Sequence, residues 1–341
     1  MSEEQIRGLC GLVNFGNTCY MNSAIQCLAS IDSLREYFLS KEFVDDLNKN
    51  STECNLVIQW YKLLQGKYTS NSVISPESFR KEIRIVSIKE GLNLNFVGNG
   101  QNDVQEFLLF LIDKMHNGIS RKININITGD VKNELDKCAL EAMKMWKIYF
   151  KDSYSKFIDL FYCQNSSRIY NLDKELLSTN YDPICYHNIP IPDIEKPTIY
   201  DCFDLFTTME KMEDKDNLYY NEKTKEYIKC YKQIKFWSLP KVLIVVLKRF
   251  MNNGNKITSV VDFPIENLNL SKYCVGYKKK NNIYDLIAVS NHSGSLQGGH
   301  YYAYCKMADN KWYNFNDSSV SNLEESNIIS DKAYCLFYKK K

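Results

Sequence analysis

The sequence lacks three features that would each point to a particular class of protein. None of its 12 cysteines stands in a CxxC pair, which argues against a zinc ribbon or a dithiol redox motif. Apolar runs such as VLIVVL at 242–247 are far shorter than the roughly 20 residues that cross a membrane. The N-terminal MSEEQIRGLCG has no apolar core, so we expect no secretory signal peptide.

The chain also lacks a charge excess, because 43 Lys and Arg residues balance 41 Asp and Glu residues to a net charge of +2. A balance of this kind offers no overall attraction to nucleic acid or to a membrane, and we expect neither as a partner. Cysteines such as Cys27 and Cys335 lie in apolar contexts, as free buried thiols do. We therefore expect a reducing, intracellular location, the cytoplasm first and the nucleus as an alternative.

The patterning of the 341 residues divides them into a helical and a strand-rich part. In QNDVQEFLLFLIDKMHNGI at 101–119, apolar residues recur every three or four positions, and Gly118 suits a helix end. Beyond about residue 155, short β-like runs alternate with Asn, Asp, Pro and Lys, and VLIVVL is typical of a central strand buried on both faces. We find no repeat and no linker, so we expect one α+β unit.

Cys19 stands where a Gly- and Asn-rich loop meets a helical pattern, in GLVNFGNTCYMNSAIQCLAS at 11–30. The NFGNT segment has the small and Asx-type residues that form a turn and a helix cap. A helix N-terminus beside an imidazole lowers a thiol pKa, and the Cys19 amide would be free to bind an oxyanion. The alternative is a buried structural thiol, which is the usual state of a free cysteine.

His300 is one of only four histidines, and it follows two glycines at the start of an aromatic strand. Gly298 and Gly299 would allow a substrate backbone to approach closely, although the histidine could equally be a strand-start residue in a turn. A cysteine and histidine pair needs a third group to orient the imidazole, and WYNFNDSSV offers Asn316 and Asp317.

Several segments resemble, in the same order, the conserved boxes of the ubiquitin-specific proteases. The likeness extends from about Gly11 to Tyr338, nearly the whole chain, and the motifs together are highly specific. The segments are GLVNFGNTCYMNSAIQ for the cysteine box, QNDVQEF for the second conserved segment, LPKVLIVVLKRF for the central strand, and GGHYYAY, KWYNFNDSSV and AYCLFY for the histidine box.

The resemblance implies a catalytic role for five residues. Cys19 matches the nucleophile, His300 the general base and Asn316 the third triad position, where the family uses Asn or Asp. Asp317 matches the following acidic residue, which in some members assists the histidine or a catalytic water. Asn14 matches the side chain that donates to the oxyanion beside the Cys19 amide.

The resemblance also implies a channel for the extended, arginine-bearing C-terminal tail of ubiquitin. Gln101 would contact the tail backbone, and Asp103 or Glu106 would pair with its guanidinium groups. Gly298 and Gly299 would keep the channel narrow, because ubiquitin ends in Gly-Gly. The structural alternative for the two carboxylates is that they cap the first turn of a helix.

The sequence departs from many members of this family in having no zinc-binding cysteines in the fingers. By alignment, the first CxxC pair would fall at Asn171 and Lys174, and the second near Asn221 and Thr224. We therefore predict fingers that pack without zinc, and a protein with no metal and no cofactor.

The predicted fold is α+β, a papain-like cysteine peptidase with a helical thumb, β-rich fingers and an antiparallel-sheet palm. One catalytic domain would fill residues 1–341, with the thumb at about 8–155, the fingers and adjoining palm strands at 156–240 and the palm at 241–341. The predicted function is deubiquitination, acting on ubiquitin and ubiquitin-conjugated proteins through a thioester. The alternatives are a non-catalytic ubiquitin-binding module and a protease for another ubiquitin-like modifier.

Overall fold

The helices come mostly from the first half of the chain, as its periodicity predicts. The computed structural model describes residues 8–91, 96, 98, 100–251, 253–295 and 298–341; residues 1–7, the start of the segment examined for a signal peptide, lie outside them. The described helices are α1 (Cys19–Ala29), α2 (Asp32–Leu39), α3 (Phe43–Asp46), α4 (Cys54–Thr69), α5 (Glu77–Lys89), α6 (Val104–Gly118), α7 (Glu134–Phe150), α8 (Lys156–Phe161) and α9 (Ile199–Thr207).

The strands of the described residues all follow residue 162. They are β1 (Cys163–Tyr170), β2 (Leu176–Ile184), β3 (His187–Pro190), β4 (Glu210–Met212), β5 (Tyr219–Asn221), β6 (Glu226–Ile228), β7 (Cys230–Phe236), β8 (Val242–Lys248), β9 (Leu268–Asn269), β10 (Ile283–Ser295), β11 (Gly298–Lys306), β12 (Trp312–Asn316), β13 (Ser319–Leu323) and β14 (Ala333–Lys340).

Two main sheets organise these strands. The larger has the order β13-β12-β11-β10-β14-β8-β3, with β9 on β10, and the smaller has the order β2-β1-β7-β4. Pairing is antiparallel except between β3 and β8. A separate hairpin joins β5 and β6. The larger sheet is the predicted palm, while the thumb, finger and palm boundaries drawn from the sequence stay a prediction.

Strand β8 lies between two hydrophobic cores. Its residues 242, 244 and 246 face a core shared with the thumb helices, and residues 243, 245 and 247 face a second core shared with α9. Because strand side chains alternate between faces, a continuous apolar run is what this position requires. The prediction of a central strand buried on both sides is confirmed.

Helix α6 begins and ends where the sequence indicates. The Asp103 side chain caps it by accepting from the amides of Gln105 at 2.7 Å and Glu106 at 3.4 Å, and the helix ends at Gly118. Helix α1 differs, because all of its residues are buried. A helix buried on every side packs against both the thumb and the palm, and this places the N-terminus of α1 at their junction.

The aligned zinc positions fall in hairpin turns of the smaller, finger-like part. Asn171 follows β1, and its side chain accepts from the Glu175 amide at 2.8 Å. Asn221 ends β5 and accepts at its side chain from the Lys223 amide at 3.0 Å. Side-chain to backbone bonds of this kind stabilise the two turns locally. Among the described residues, no group of three or more His, Cys, Asp and Glu side chains is arranged to hold a metal.

Each of the 12 cysteines is a free thiol in the structure. In the described part of the chain, no helix has the length and apolar character needed to span a membrane.

Candidate active site

Cys19 is the first residue of α1 and follows a tight turn. Gly16 and Asn17 both have positive φ, at 81° and 55°, which explains the small and Asx-type residues in NFGNT. The Thr18 hydroxyl accepts from the Phe15 amide at 2.9 Å and holds the turn closed. The turn is as predicted, but the side-chain cap is absent, so the first amides of α1 stay available to an anion.

The Cys19 thiol is nearly covered, with 6% of its residue surface exposed. Burial raises its pKa and the nearby Asp317 carboxylate raises it further, while the amides of Tyr301, Tyr20 and Cys19 itself offset part of the shift. The sequence-based expectation of a lowered thiol pKa is therefore wrong for the free protein. Desolvation disfavours the thiolate more than the helix N-terminus stabilises it.

His300 lies on β11, and its ring is oriented by the neighbouring strand. The Nε2 atom is 2.6 Å from Oδ1 of Asn316, the last residue of β12. Since an amide oxygen only accepts, Nε2 carries the proton and Nδ1 has the free lone pair. The hydrogen bonds described for these residues do not include one between the Cys19 thiol and the His300 ring. The sulfur lies instead against the amide of Tyr301, the next residue of β11.

Asn316 and Asp317, which the sequence could not separate, point to different partners. Asn316 faces the imidazole, whereas the Asp317 carboxylate accepts from Nδ2 of Asn14 and from Nδ2 of Asn22, each at 2.8 Å. Asp317 has a φ of 48° in the turn after β12, and this left-handed residue directs its side chain away from that of Asn316. Asp317 thus contacts the loop and helix that carry Cys19.

Asn14 is held at both ends of its amide. Its Oδ1 accepts from the Thr18 amide at 3.2 Å and the Thr18 hydroxyl at 3.0 Å, and one hydrogen of its Nδ2 is taken by Asp317. The second Nδ2 hydrogen has no partner in these bonds, so a fixed donor is left for an oxyanion.

Sequence reasoning missed Asn22 and Thr18, which complete this network. Asn22 is buried, with 2% exposed, and its Nδ2 also lies 3.3 Å from the Val13 carbonyl oxygen. The available signal was an amide side chain one turn after Cys19 in a helix with many apolar residues, because a buried amide needs partners.

Asp103 is occupied by bonds within the protein. Besides capping α6, its carboxylate accepts from the hydroxyls of Tyr301 at 3.2 Å and Tyr334 at 2.9 Å. These bonds agree with the structural alternative, in which Asp103 caps the helix, and they occupy both oxygens of its carboxylate. Glu106 is exposed on the first turn of α6, and partial burial and the Asp103 charge raise its pKa. Within the described chain Glu106 forms no ion pair, so it is available to a cation.

The two glycines before His300 have different surroundings. A Cβ on Gly299 would lie 2.2 Å from Nε2 of His292 and 2.6 Å from the Ser293 carbonyl, so packing alone requires glycine there. Among the described residues, a Cβ on Gly298 would meet only Nε2 of Gln101, at 4.0 Å. Packing therefore does not explain the glycine at position 298. Gln101 also contacts the next residue, because the Gly299 amide donates to its Oε1 at 2.9 Å.

A second cysteine and histidine pair belongs to the core. Cys163 Sγ lies 3.6 Å from Nε2 of His187, and both residues are buried. Burial raises the pKa of Cys163 and lowers that of His187 to about 3, so both groups are neutral at physiological pH. The pair has no exposed face toward which a substrate could bind, and we assign it a structural role.

Comparison with known proteins agrees with this geometry. A family model described as ubiquitin carboxyl-terminal hydrolase matches residues 10–338. The chain belongs to this family. Among curated relatives, human ubiquitin carboxyl-terminal hydrolase 2 is 36% identical over 350 residues, covering 99% of this chain and 56% of the relative. Ubiquitin carboxyl-terminal hydrolase 8 of Saccharomyces cerevisiae is 29% identical, covering 99% of this chain and 72% of the relative.

Solved structures of the family share the fold. The SAGA Ubp8/Sgf11/Sus1/Sgf73 DUB module bound to ubiquitin aldehyde superposes with a TM-score of 0.73 at 26% identity, covering 100% of this chain and 71% of that one. This likeness confirms the predicted α+β, papain-like fold of a ubiquitin-specific protease. The chain spans about 56% of the length of the first curated relatives it matches.

Proposed function

We propose that this chain is a deubiquitinase that hydrolyses the bond after the C-terminal glycine of ubiquitin. The observation that carries the proposal is the His300 to Asn316 bond at 2.6 Å, on a strand whose next residue contacts the Cys19 sulfur. A nucleophile, an oriented base and a fixed amide donor are thereby assembled at one junction between thumb and palm.

In the proposed reaction, Nδ1 of His300 takes the Cys19 proton and the thiolate attacks the carbonyl carbon of the terminal glycine. The Asn14 amide and the Cys19 backbone amide stabilise the oxyanion, and removal of one such donor typically costs about 100- to 1,000-fold in turnover. The imidazolium returns its proton to the departing lysine amine, which leaves a thioester. Water, deprotonated by His300, then attacks the thioester and releases ubiquitin and the Cys19 thiol.

Asn316 and Asp317 are positioning residues in this proposal. Asn316 fixes the tautomer and the plane of the imidazole through its Oδ1. Asp317 orients Asn14 and anchors Asn22, so it links the oxyanion donor to the helix of the nucleophile. Asp317 acts here through Asn14 rather than through the histidine.

For substrate recognition, Glu106 is the carboxylate we assign to the arginine-bearing tail, because Asp103 is already satisfied. Gln101 and Gly298 line the path of the tail, and Gly299 supports it by its packing on His292. The partners we propose are ubiquitin and ubiquitin-conjugated proteins, without nucleic acid or membrane. The free thiols support an intracellular, cytoplasmic site of action.

The test is hydrolysis of a ubiquitin C-terminal aminocoumarin amide, combined with labelling by ubiquitin carrying a C-terminal electrophile. We expect Cys19→Ala to abolish both while retaining ubiquitin binding, and Cys163→Ala, which removes a buried thiol, to retain both. Hydrolysis that survives Cys19→Ala would refute the assignment. Labelling only by probes of other ubiquitin-like modifiers would indicate a protease for one of those modifiers. Binding of ubiquitin without turnover would indicate a non-catalytic module.

A further inference from the structure

One hydrogen bond joins the thumb to the strand of the proposed base at the outer edge of the site. Gln101 lies three residues before the start of α6, and its Oε1 accepts from the amide of Gly299 at 2.9 Å. Gly299 is the neighbour of His300 on β11. We call this contact the Gln101 bridge. It spans the two walls between which the proposed function places the ubiquitin tail.

Among the hydrogen bonds of the described residues, the bridge is the outermost one between the segment before α6 and β11. Outward from it, a Cβ on Gly298 would lie 4.0 Å from the Gln101 amide and, beyond its chain neighbours, within 4 Å of no other described residue. Inward from it, the next contacts are those of Asp103 with Tyr301 and Tyr334. Gln101 is exposed, so its side chain can rotate away without disturbing the core. Within the described part of the chain, a single neutral hydrogen bond therefore closes the outer edge.

A ubiquitin conjugate carries a folded protein on each side of the bond to be cleaved. Neither folded part can pass through an opening closed by a side chain, so the tail must enter sideways between the two walls. Sideways entry requires the bridge to break, whereas a tail ending in a small leaving group can enter end first. We propose that the Gln101 bridge is a gate, and that Gln101 discriminates between substrates by the size of the leaving group. This inference rests on the proposed function.

The size of the effect follows from the strength of the bond. One neutral hydrogen bond shifts an opening equilibrium by about 2- to 12-fold. Loss of the bridge should therefore favour substrates with a folded leaving group by about 2- to 12-fold, relative to substrates with a small one.

The experiment compares kcat/KM for a ubiquitin aminocoumarin amide and for two ubiquitins joined by an isopeptide bond. Gln101→Met keeps the length of the side chain and removes the acceptor, and Gln101→Glu keeps an acceptor for the Gly299 amide. The ratio of the two kcat/KM values cancels any direct contact of Gln101 with the tail, because both substrates have the same tail. The ratio of interest is kcat/KM for the linked ubiquitins divided by kcat/KM for the aminocoumarin amide. We expect Gln101→Met to raise this ratio. Gln101→Glu should leave it at or below the wild-type value, because a carboxylate is the stronger acceptor.

Hydrogen exchange at the Gly299 amide, measured without substrate, reports the bridge directly. We expect faster exchange in Gln101→Met and a rate at or below that of the wild type in Gln101→Glu. An unchanged exchange rate in Gln101→Met would show that the bridge does not form in solution and would overturn the proposal. Faster exchange with an unchanged kcat/KM ratio would also overturn it. If the wild-type protein cleaves neither substrate, the proposed function itself fails and the gate with it.

Discussion

The carboxylate of Asp317 can be tested by a change that removes its charge and almost nothing else. In Asp317→Asn the side chain keeps one oxygen, so it can accept from either Asn14 or Asn22 but not from both at 2.8 Å. The NH2 group would face the other Nδ2, donor against donor. Since a hydrogen bond to a charged group contributes about 1.5 to 3 kcal/mol, we expect the free energy of unfolding to fall by about 2 kcal/mol.

Two kinetic consequences of Asp317→Asn have opposite signs. The Asn14 amide loses its anchor, so kcat should fall by about 10- to 100-fold with little change in KM, as expected for a donor that acts mainly on the transition state. The thiol should become more reactive, because the Asp317 charge raises the pKa of Cys19 in the free protein. Alkylation by iodoacetamide at pH 7 should therefore be faster than in the wild type.

The assay pairs steady-state hydrolysis of a ubiquitin aminocoumarin amide with alkylation rates across a pH series. Asp309→Asn is the matched control, since Asp309 accepts from the Tyr313 hydroxyl at 2.8 Å in the turn between β11 and β12. It should change neither rate. If Asp317→Asn slows alkylation and turnover by the same factor, the variant distorts the site generally and the reasoning is wrong. Unchanged rates of both would mean that the two bonds do not form in solution.

Four further predictions concern packing, recognition, acid stability and metal dependence. Gly299→Ala should lower the free energy of unfolding by about 1 to 3 kcal/mol in a urea titration, because its Cβ would lie 2.2 Å from the His292 ring, while Gly298→Ala should leave it unchanged. Glu106→Gln should raise KM for ubiquitin substrates about threefold at constant kcat and weaken the salt dependence of KM; an unchanged KM would remove Glu106 from the tail site. His187 is buried with its pKa lowered from 6.5 to about 3, so below pH 6.5 the unfolded chain binds a proton that the folded chain does not. The stability contributed by neutral His187 is thus present above pH 6.5 and is lost as pH falls toward 3. Between pH 7.5 and pH 5, the free energy of unfolding should therefore fall by about 2 kcal/mol less in His187→Phe than in the wild type. EDTA and phenanthroline should change neither the melting temperature nor turnover, and a loss of either would reveal a metal site.

Local features of the site could be predicted from sequence because they depend on neighbouring residues. The turn before Cys19 needs residues that tolerate positive φ, and Gly16 and Asn17 supply them. Helix α6 follows from its apolar spacing and from Asp103 as its cap. The two-sided burial of β8 follows from an apolar run too short for most helices.

The tertiary structure decided the features that depend on residues far apart in the chain. The roles of Asn316 and Asp317 separate only when the turn after β12 meets Asn14 and Asn22, about 300 positions away. The raised thiol pKa arises because packing of α1 against the palm buries Cys19, an effect that no helix pattern reveals. Two adjacent glycines look alike in the sequence, yet only Gly299 packs on His292, through the register of β10 and β11. Residue type and spacing set the local conformation, whereas burial and cross-strand register are set by how the whole sheet is assembled.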